Sequence, residues 1–97
     1  MEQTDFGIRI RQLREQKGLL LRQIAAVLEV DTALVSKIER GERKASKDQV
    51  VKFAELLEVN TNELLVIWLS DKIVDMLAEE PLAHEALKNS EKRLKNK

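Results

Sequence analysis

The chain has 97 residues, 17 Lys and Arg against 17 Asp and Glu, one histidine and no cysteine. That length allows one domain with at most a small appendage, and the missing thiols and near-absent histidine exclude disulfides and Cys- or His-based metal sites, in keeping with a reducing cytoplasm. With charge balanced overall, any nucleic-acid surface has to come from local segregation of charge.

Many Ala, Leu, Glu, Lys and Arg residues, with three glycines and one proline, favour helices over sheet. Residues 1–4 read as a tail ending in Thr4, a helix N-cap. Over residues 5–17, Phe6, Ile10 and Leu13 recur at helical spacing among Arg9, Arg11 and Arg14, and Gly18 is placed to end this first helix in a left-handed conformation. A second helix is predicted over 21–28, and Asp31 is the expected cap of a third that runs to about Arg40 and stops at Gly41. Ile24, Leu28, Val30, Val35 and Ile38, with small Ala25, let these two short helices cross closely and share one buried face. The outer side of the second of them is then free, which is the geometry of a helix that enters a major groove.

A basic loop at 42–45 leads to Ser46, which opens a capping box with Gln49, and the fourth helix carries Val50, Phe53, Ala54 and Leu57 on one face. Asn60 begins a similar start, with Glu63 expected to reach back to it. The fifth helix is apolar all round over 64–69 and continues with Ile73, Val74, Met76 and Leu77, a pattern that predicts burial on more than one side. Pro81 separates it from a last helix at about 82–95, with Leu82, Ala86, Leu87 and Leu94 as its apolar positions and a polar end. Neither a signal peptide nor a membrane span is expected: no basic segment precedes a long apolar run at the N-terminus, and 64–69 is too short to cross a bilayer.

Taken together and in order, the segments FGIRIRQLREQKGL, QIAAVLEV, ALVSKIERGERK and VVKFAELLEVNTNELL resemble the lambda-repressor and Cro-like, or Xre, helix-turn-helix family over residues 6–65. The resemblance implies an all-α fold, a five-helix lambda-repressor-like domain, here 5–69; the apolar pattern beyond it extends the fifth helix and adds a C-terminal helix, so that 70–97 is expected to be a dimerisation element. The resemblance also implies an ion pair between Arg14 and Glu39 that ties the reading helix to the scaffold. Removing one partner costs about 3–5 kcal/mol if the pair is shielded and roughly 0–1 kcal/mol if it is solvated. The chain departs from the family pattern in two places. Leu20 and Leu21 stand where Ser or Thr and then Gln are usual, leaving backbone N–H groups to hold a phosphate there, and Glu29 replaces the glycine of the inter-helix turn, at roughly 1–2 kcal/mol of strain if left-handed.

By the same resemblance Thr32, Ala33, Ser36 and Lys37 face the bases of double-stranded DNA. Lys37 can donate to guanine O6 and N7, Thr32 and Ser36 can donate or accept, and the Thr32 and Ala33 methyls suit a thymine methyl. With no Gln, Asn or Arg fork in the set, readout leans on DNA shape. Arg22, Arg40, Arg43, Lys44 and Lys47 are the phosphate candidates, against the alternative of ordinary solvated charges. One such domain covers a half-site. Pairing through Leu65, Trp68, Leu69, Ile73, Met76 and Leu77 around a two-fold axis would present two reading helices to a pseudo-palindromic operator, the last helix packing in cis or across the seam.

The expected function is a homodimeric, sequence-specific transcription regulator of a prokaryote or phage, a repressor or small operon controller of the restriction–modification or phage type, with no cofactor. The alternative is a DNA-binding antitoxin or protein-interaction module whose apolar C-terminal helices meet another protein. Catalysis is not favoured: His84 has no matching nucleophile, and the acidic pairs Glu79–Glu80 and Asp71–Asp75 read as solvated helix faces.

Overall fold

In a computed structural model that describes residues 4–97, the chain forms six α-helices, with no strand among the described residues. They are α1 (Asp5–Gln16), α2 (Leu21–Leu28), α3 (Thr32–Glu39), α4 (Lys47–Leu57), α5 (Thr61–Leu77) and α6 (Ala83–Lys95). The tail reading for residues 1–3 lies outside the described residues.

Local chemistry explains most of the boundaries. Thr4 caps α1 by accepting from the Gly7 N–H, and Ser46 and Gln49 form the reciprocal capping box that starts α4. Asn60 Oδ1 accepts from Asn62 and Glu63 N–H at the start of α5. Glu63, however, does not reach back to Asn60; its carboxylate accepts from Arg9 of α1 at 3.1 Å, because a cation on the neighbouring helix is a stronger donor than an amide. Asp31 occupies the N-cap backbone position of α3 without a side-chain capping bond. The turns after α2 and α4 are closed by left-handed Glu29 (φ 58°) and Glu58 (φ 56°), where a β-carbon is strained.

One core joins the first five helices: Phe6, Ile10 and Leu13 from α1, Ile24, Ala25 and Leu28 from α2, Val35 and Ile38 from α3, Val50, Phe53, Ala54 and Leu57 from α4, and Leu64 and Trp68 from α5. Phe6 and Phe53 meet edge to face at its centre, 5.8 Å between ring centroids. Helix α1 crosses the end of α3 so closely that a β-carbon on Gly7 would lie 2.5 Å from the Glu39 carbonyl oxygen. This crossing sets the angle at which α3 leaves the body of the domain.

Helix α5 corrects the sequence reading. Only Leu64 and Trp68 are buried on it, while Val66, Leu69, Ile73, Val74 and Met76 are exposed. Its apolar perimeter is covered on one side, since α6 buries no residue at all. Among the described residues no helix is long and apolar enough to cross a membrane.

Candidate nucleic-acid interface

The helix pair α2–α3 presents α3 as a ridge. Val35, Ile38 and Glu39 are buried beneath it, and Thr32, Ala33 and Lys37 are exposed along its outer face. Ser36 is half-buried at the edge of that face, and its Oγ accepts from Arg40 Nη1 at 3.0 Å. Three of the four residues expected to face bases are therefore open, and the hydroxyl of the fourth already accepts from Arg40.

A largely shielded ion pair ties α1 to the end of the ridge. Arg14 Nε donates to Glu39 Oε2 at 2.7 Å, Nη2 donates to Oε1 at 3.1 Å, and Nη1 donates to the Leu19 carbonyl at 3.0 Å. The Glu39 side chain is only 6 % exposed, which settles the choice between a shielded and a solvated pair in favour of the first. Hydrogen bonding to Glu39 raises the Arg14 pKa above its ordinary value against the opposing effect of burial, so the guanidinium stays charged. The forked geometry joins the last turn of α1, the loop before α2 and the end of α3 through one side chain.

The cations around the ridge fall into two groups. Arg40 is bonded to Glu42 at 2.6 Å, and Lys44 bridges to Asp75 of α5 at 3.2 Å. Arg22, Lys37, Arg43 and Lys47 are exposed and have no ion-pair partner among the described residues. At the start of α2, Gln23 Oε1 accepts from the Leu20 N–H at 2.7 Å, so a glutamine one turn into the helix caps the end that Leu20 itself cannot.

The remaining sequence-predicted residues sit on α5 and divide differently. Trp68 belongs to the core, with its indole Nε1–H donating to the Ala45 carbonyl at 2.8 Å and Lys72 Nζ lying 3.7 Å from its ring centroid. Its ring is consumed within the chain, which removes it from the candidate dimer face. Leu65 and Leu77 are half-buried, and Leu69, Ile73 and Met76 are open to solvent. Asp71 and Asp75 are not merely solvated. Asp71 accepts from the Asp5 and Phe6 N–H groups at 3.2 and 2.9 Å, neutralising the start of α1, and Asp75 holds Lys44.

Sequence reasoning missed the contacts of Gly7, Asp71 and Trp68 because each pairs groups far apart in the chain. The nearest signal was the lone tryptophan, whose N–H needs an acceptor wherever it is buried. The cavity beside Trp68, Phe6 and Ala45 holds about 20 Å3, room for roughly one water and far below a ligand pocket. No group of acidic residues or histidine with metal-ligand geometry occurs among the described residues.

Residues 5–65 match the model of the helix-turn-helix domain. The chain is 38 % identical over 55 residues to the HTH-type transcriptional repressor RghR of Bacillus subtilis, covering 56 % of this chain and 41 % of RghR. It is 33 % identical over 64 residues to the HTH-type transcriptional regulator YazB of the same organism, covering 66 % of this chain and 93 % of YazB. A third Bacillus subtilis regulator, RghRB, is 33 % identical over 63 residues, 64 % of this chain; of RghRB and RghR the chain thus spans less than half the length, 45 % and 41 %. Among solved structures, the restriction–modification controller protein C.AhdI from Aeromonas hydrophila aligns with a TM-score of 0.56 at 37 % identity, over 61 % of this chain and 89 % of that one. The ridge on α3, the shielded Arg14–Glu39 pair and these likenesses agree: the chain belongs to the lambda-repressor and Cro-like helix-turn-helix family.

Proposed function

We propose that the chain is a sequence-specific, double-stranded-DNA-binding transcription regulator that acts as a homodimer, in the cytoplasm of a prokaryote or phage-infected cell, and needs no cofactor. The observation that carries this reading is the open outer face of α3, where Thr32, Ala33 and Lys37 are exposed, together with Arg22 at the start of α2, Arg43 in the loop after α3 and Lys47 at the start of α4, which are exposed and have no ion-pair partner among the described residues. Lys37 donates to guanine O6 or N7 and the Thr32 and Ala33 methyls pack on a thymine methyl. Arg22, Arg43 and Lys47 take phosphates first. Arg40 and Lys44, already bonded to Glu42 and Asp75, reach phosphate through their remaining N–H donors, and Ser36, which accepts from Arg40, keeps its hydroxyl proton to donate.

The dimer half of the reading rests on Leu69, Ile73 and Met76, bordered by half-buried Leu65 and Leu77. A two-fold axis beside them would set two α3 helices about 34 Å apart, on successive major grooves of a pseudo-palindromic operator. RghR is a repressor by name and C.AhdI a restriction–modification controller, which favours a repressor or small operon controller here. The same open apolar face supports a second reading, a DNA-binding antitoxin whose α5–α6 segment meets another protein; a stable dimer of the purified chain would leave that surface occupied and argue against it.

Selection of bound fragments from a random DNA library tests the main reading and should return one pseudo-palindromic sequence. Against that operator, Lys37→Ala should lose about 1–3 kcal/mol of discrimination, while Arg43→Ala should weaken binding to all sequences alike and flatten the salt slope by about 1. Binding with no sequence preference at any salt concentration would overturn the proposal.

A further inference from the structure

Helix α6 is the part of the molecule that the domain does not use. None of its residues is buried, and Leu82, Leu87 and Leu94 are exposed. Ala83, Leu87, Ser90 and Leu94 nevertheless follow one another at alternating steps of four and three, the spacing of a helix seam that meets another helix. The first half of this seam is continuous with α5, since Ile73, Val74 and Leu77 line one side of a shallow groove and Ala83 and Leu87 the other. Leu94, in the second half, is exposed, as are Val66 and Leu69 on α5.

Charge along this segment is segregated. From Glu79 to Glu85 there are three acids and no Lys or Arg, whereas from Lys88 to Lys97 there are five Lys and Arg against the single Glu91. Glu91 is itself paired with Lys95 in the same helix at 3.3 Å. A surface that is acidic at one end and basic at the other complements a copy of itself, provided the two run antiparallel. A parallel pair would stack like charge on like.

Resting on the homodimer reading above, we infer that α6 pairs antiparallel with α6 of a second copy around the two-fold axis. Ala83 of each copy faces Leu94 of the other, and Leu87 faces Ser90, so large and small residues alternate along the seam. The acidic turn at Glu79 and Glu80 of one copy lies beside Arg93, Lys95 and Lys97 of the other, and each second helix closes its partner's α5–α6 groove. The interface is isologous, as a two-fold requires, and it fixes the spacing of the two α3 ridges from the far end of the molecule.

The absence of cysteine makes the test direct. Full-length Ala83→Cys is mixed with a size-tagged full-length Leu94→Cys chain, allowed to exchange and mildly oxidised, with light scattering on the unmodified protein in parallel. The expected result is a disulfide between the two variants and none within either alone, because like positions lie about 16 Å apart in an antiparallel pair, beyond disulfide reach. Self-linking of Ala83→Cys, or no link at all in a protein that light scattering shows to be dimeric, overturns the α6 pairing and leaves the homodimer standing. A monomer at concentrations that saturate DNA overturns both. Leu94→Glu serves as the second measurement: it should raise the dimer dissociation constant roughly tenfold or more with helix content unchanged, and an unchanged constant counts against the seam.

Discussion

The body of the domain and its C-terminal helix use the same kinds of residue to opposite effect. From Phe6 to Trp68, one apolar stripe of each helix packs into a shared core, and the one buried carboxylate, Glu39, meets a two-pronged cation. From Leu69 onward the leucines, isoleucine, valine and methionine recur just as regularly, yet no residue is buried. Helical periodicity therefore identifies a face that needs covering without saying what covers it. In α1–α4 the cover is the rest of the chain; in α5 beyond Trp68 and in α6 it is not.

The sharpest way to break this contrast is to remove one member of the buried pair. Arg14→Ala leaves the Glu39 carboxyl, 6 % exposed in the native chain, without its guanidinium, and should cost about 3–5 kcal/mol in urea unfolding. Because Arg14 also holds the Leu19 carbonyl, the loop before α2 should loosen with it. Substitutions on the exposed face of α6 should by contrast stay within about 0.5 kcal/mol for the monomer. Equal losses in both regions would mean that α6 is part of the same cooperative core after all.

Trp68→Phe probes the border between the regions. The ring can be partly replaced, but the Ala45 carbonyl loses its 2.8 Å donor in a buried setting, which should cost about 1–3 kcal/mol. Ala45 lies in the loop that carries Arg43 and Lys44, so operator binding should weaken along with stability. A variant destabilised to that extent whose DNA affinity is untouched would show that α5 does not position the loop.

How far the sequence exposed these features depends on the range of the interaction. Caps at Thr4, Ser46 and Asn60, the glycine stop at Gly18 and the buried stripes of α1–α4 are local or periodic, and they are legible from neighbouring letters. The Arg14–Glu39 pair spans 25 positions and was legible only through resemblance to a family. Asp71 at the start of α1 spans 65 positions to Phe6, and no local rule links them. The interface divides in the same way. Residues on the outer side of α3 follow from helix geometry, and the Arg40 contacts with Glu42 and Ser36 lie two and four positions apart, but that Lys44 is already paired depends on where Asp75 of α5 arrives in three dimensions.

A smaller effect is expected at the inter-helix turn. Glu29 holds φ 58°, a conformation that costs a residue with a β-carbon roughly 1–2 kcal/mol. Glu29→Gly relieves that strain but adds freedom to the unfolded chain, so the net gain should be about 0.5–1 kcal/mol in thermal unfolding. The exposed Glu29 side chain makes no hydrogen bond or ion pair among the described residues, so nothing else is lost. A destabilised glycine variant would show that the strain is smaller than the entropy it replaces.

Glu58 occupies the same left-handed position after α4, and it differs from Glu29 in having a partner. Lys17 donates to its carboxylate at 2.8 Å, linking the end of α1 to the turn after α4. That hydrogen bond, reinforced by the Lys17 charge, holds the Glu58 pKa below the ordinary glutamate value of 4.5. A carboxylate whose folded pKa is depressed stabilises the fold above its unfolded value and loses that contribution as pH falls through the folded one. The stability difference between the native chain and Glu58→Gln should therefore be present at neutral pH and close as the pH drops below about 4.5. Both side chains reach into solvent, so the difference should be small and should shrink with added salt. The Arg14–Glu39 pair, shielded from water, should by contrast respond little to salt, and a strong salt effect on Arg14→Ala would place that pair on the surface with Lys17 and Glu58 rather than in the core.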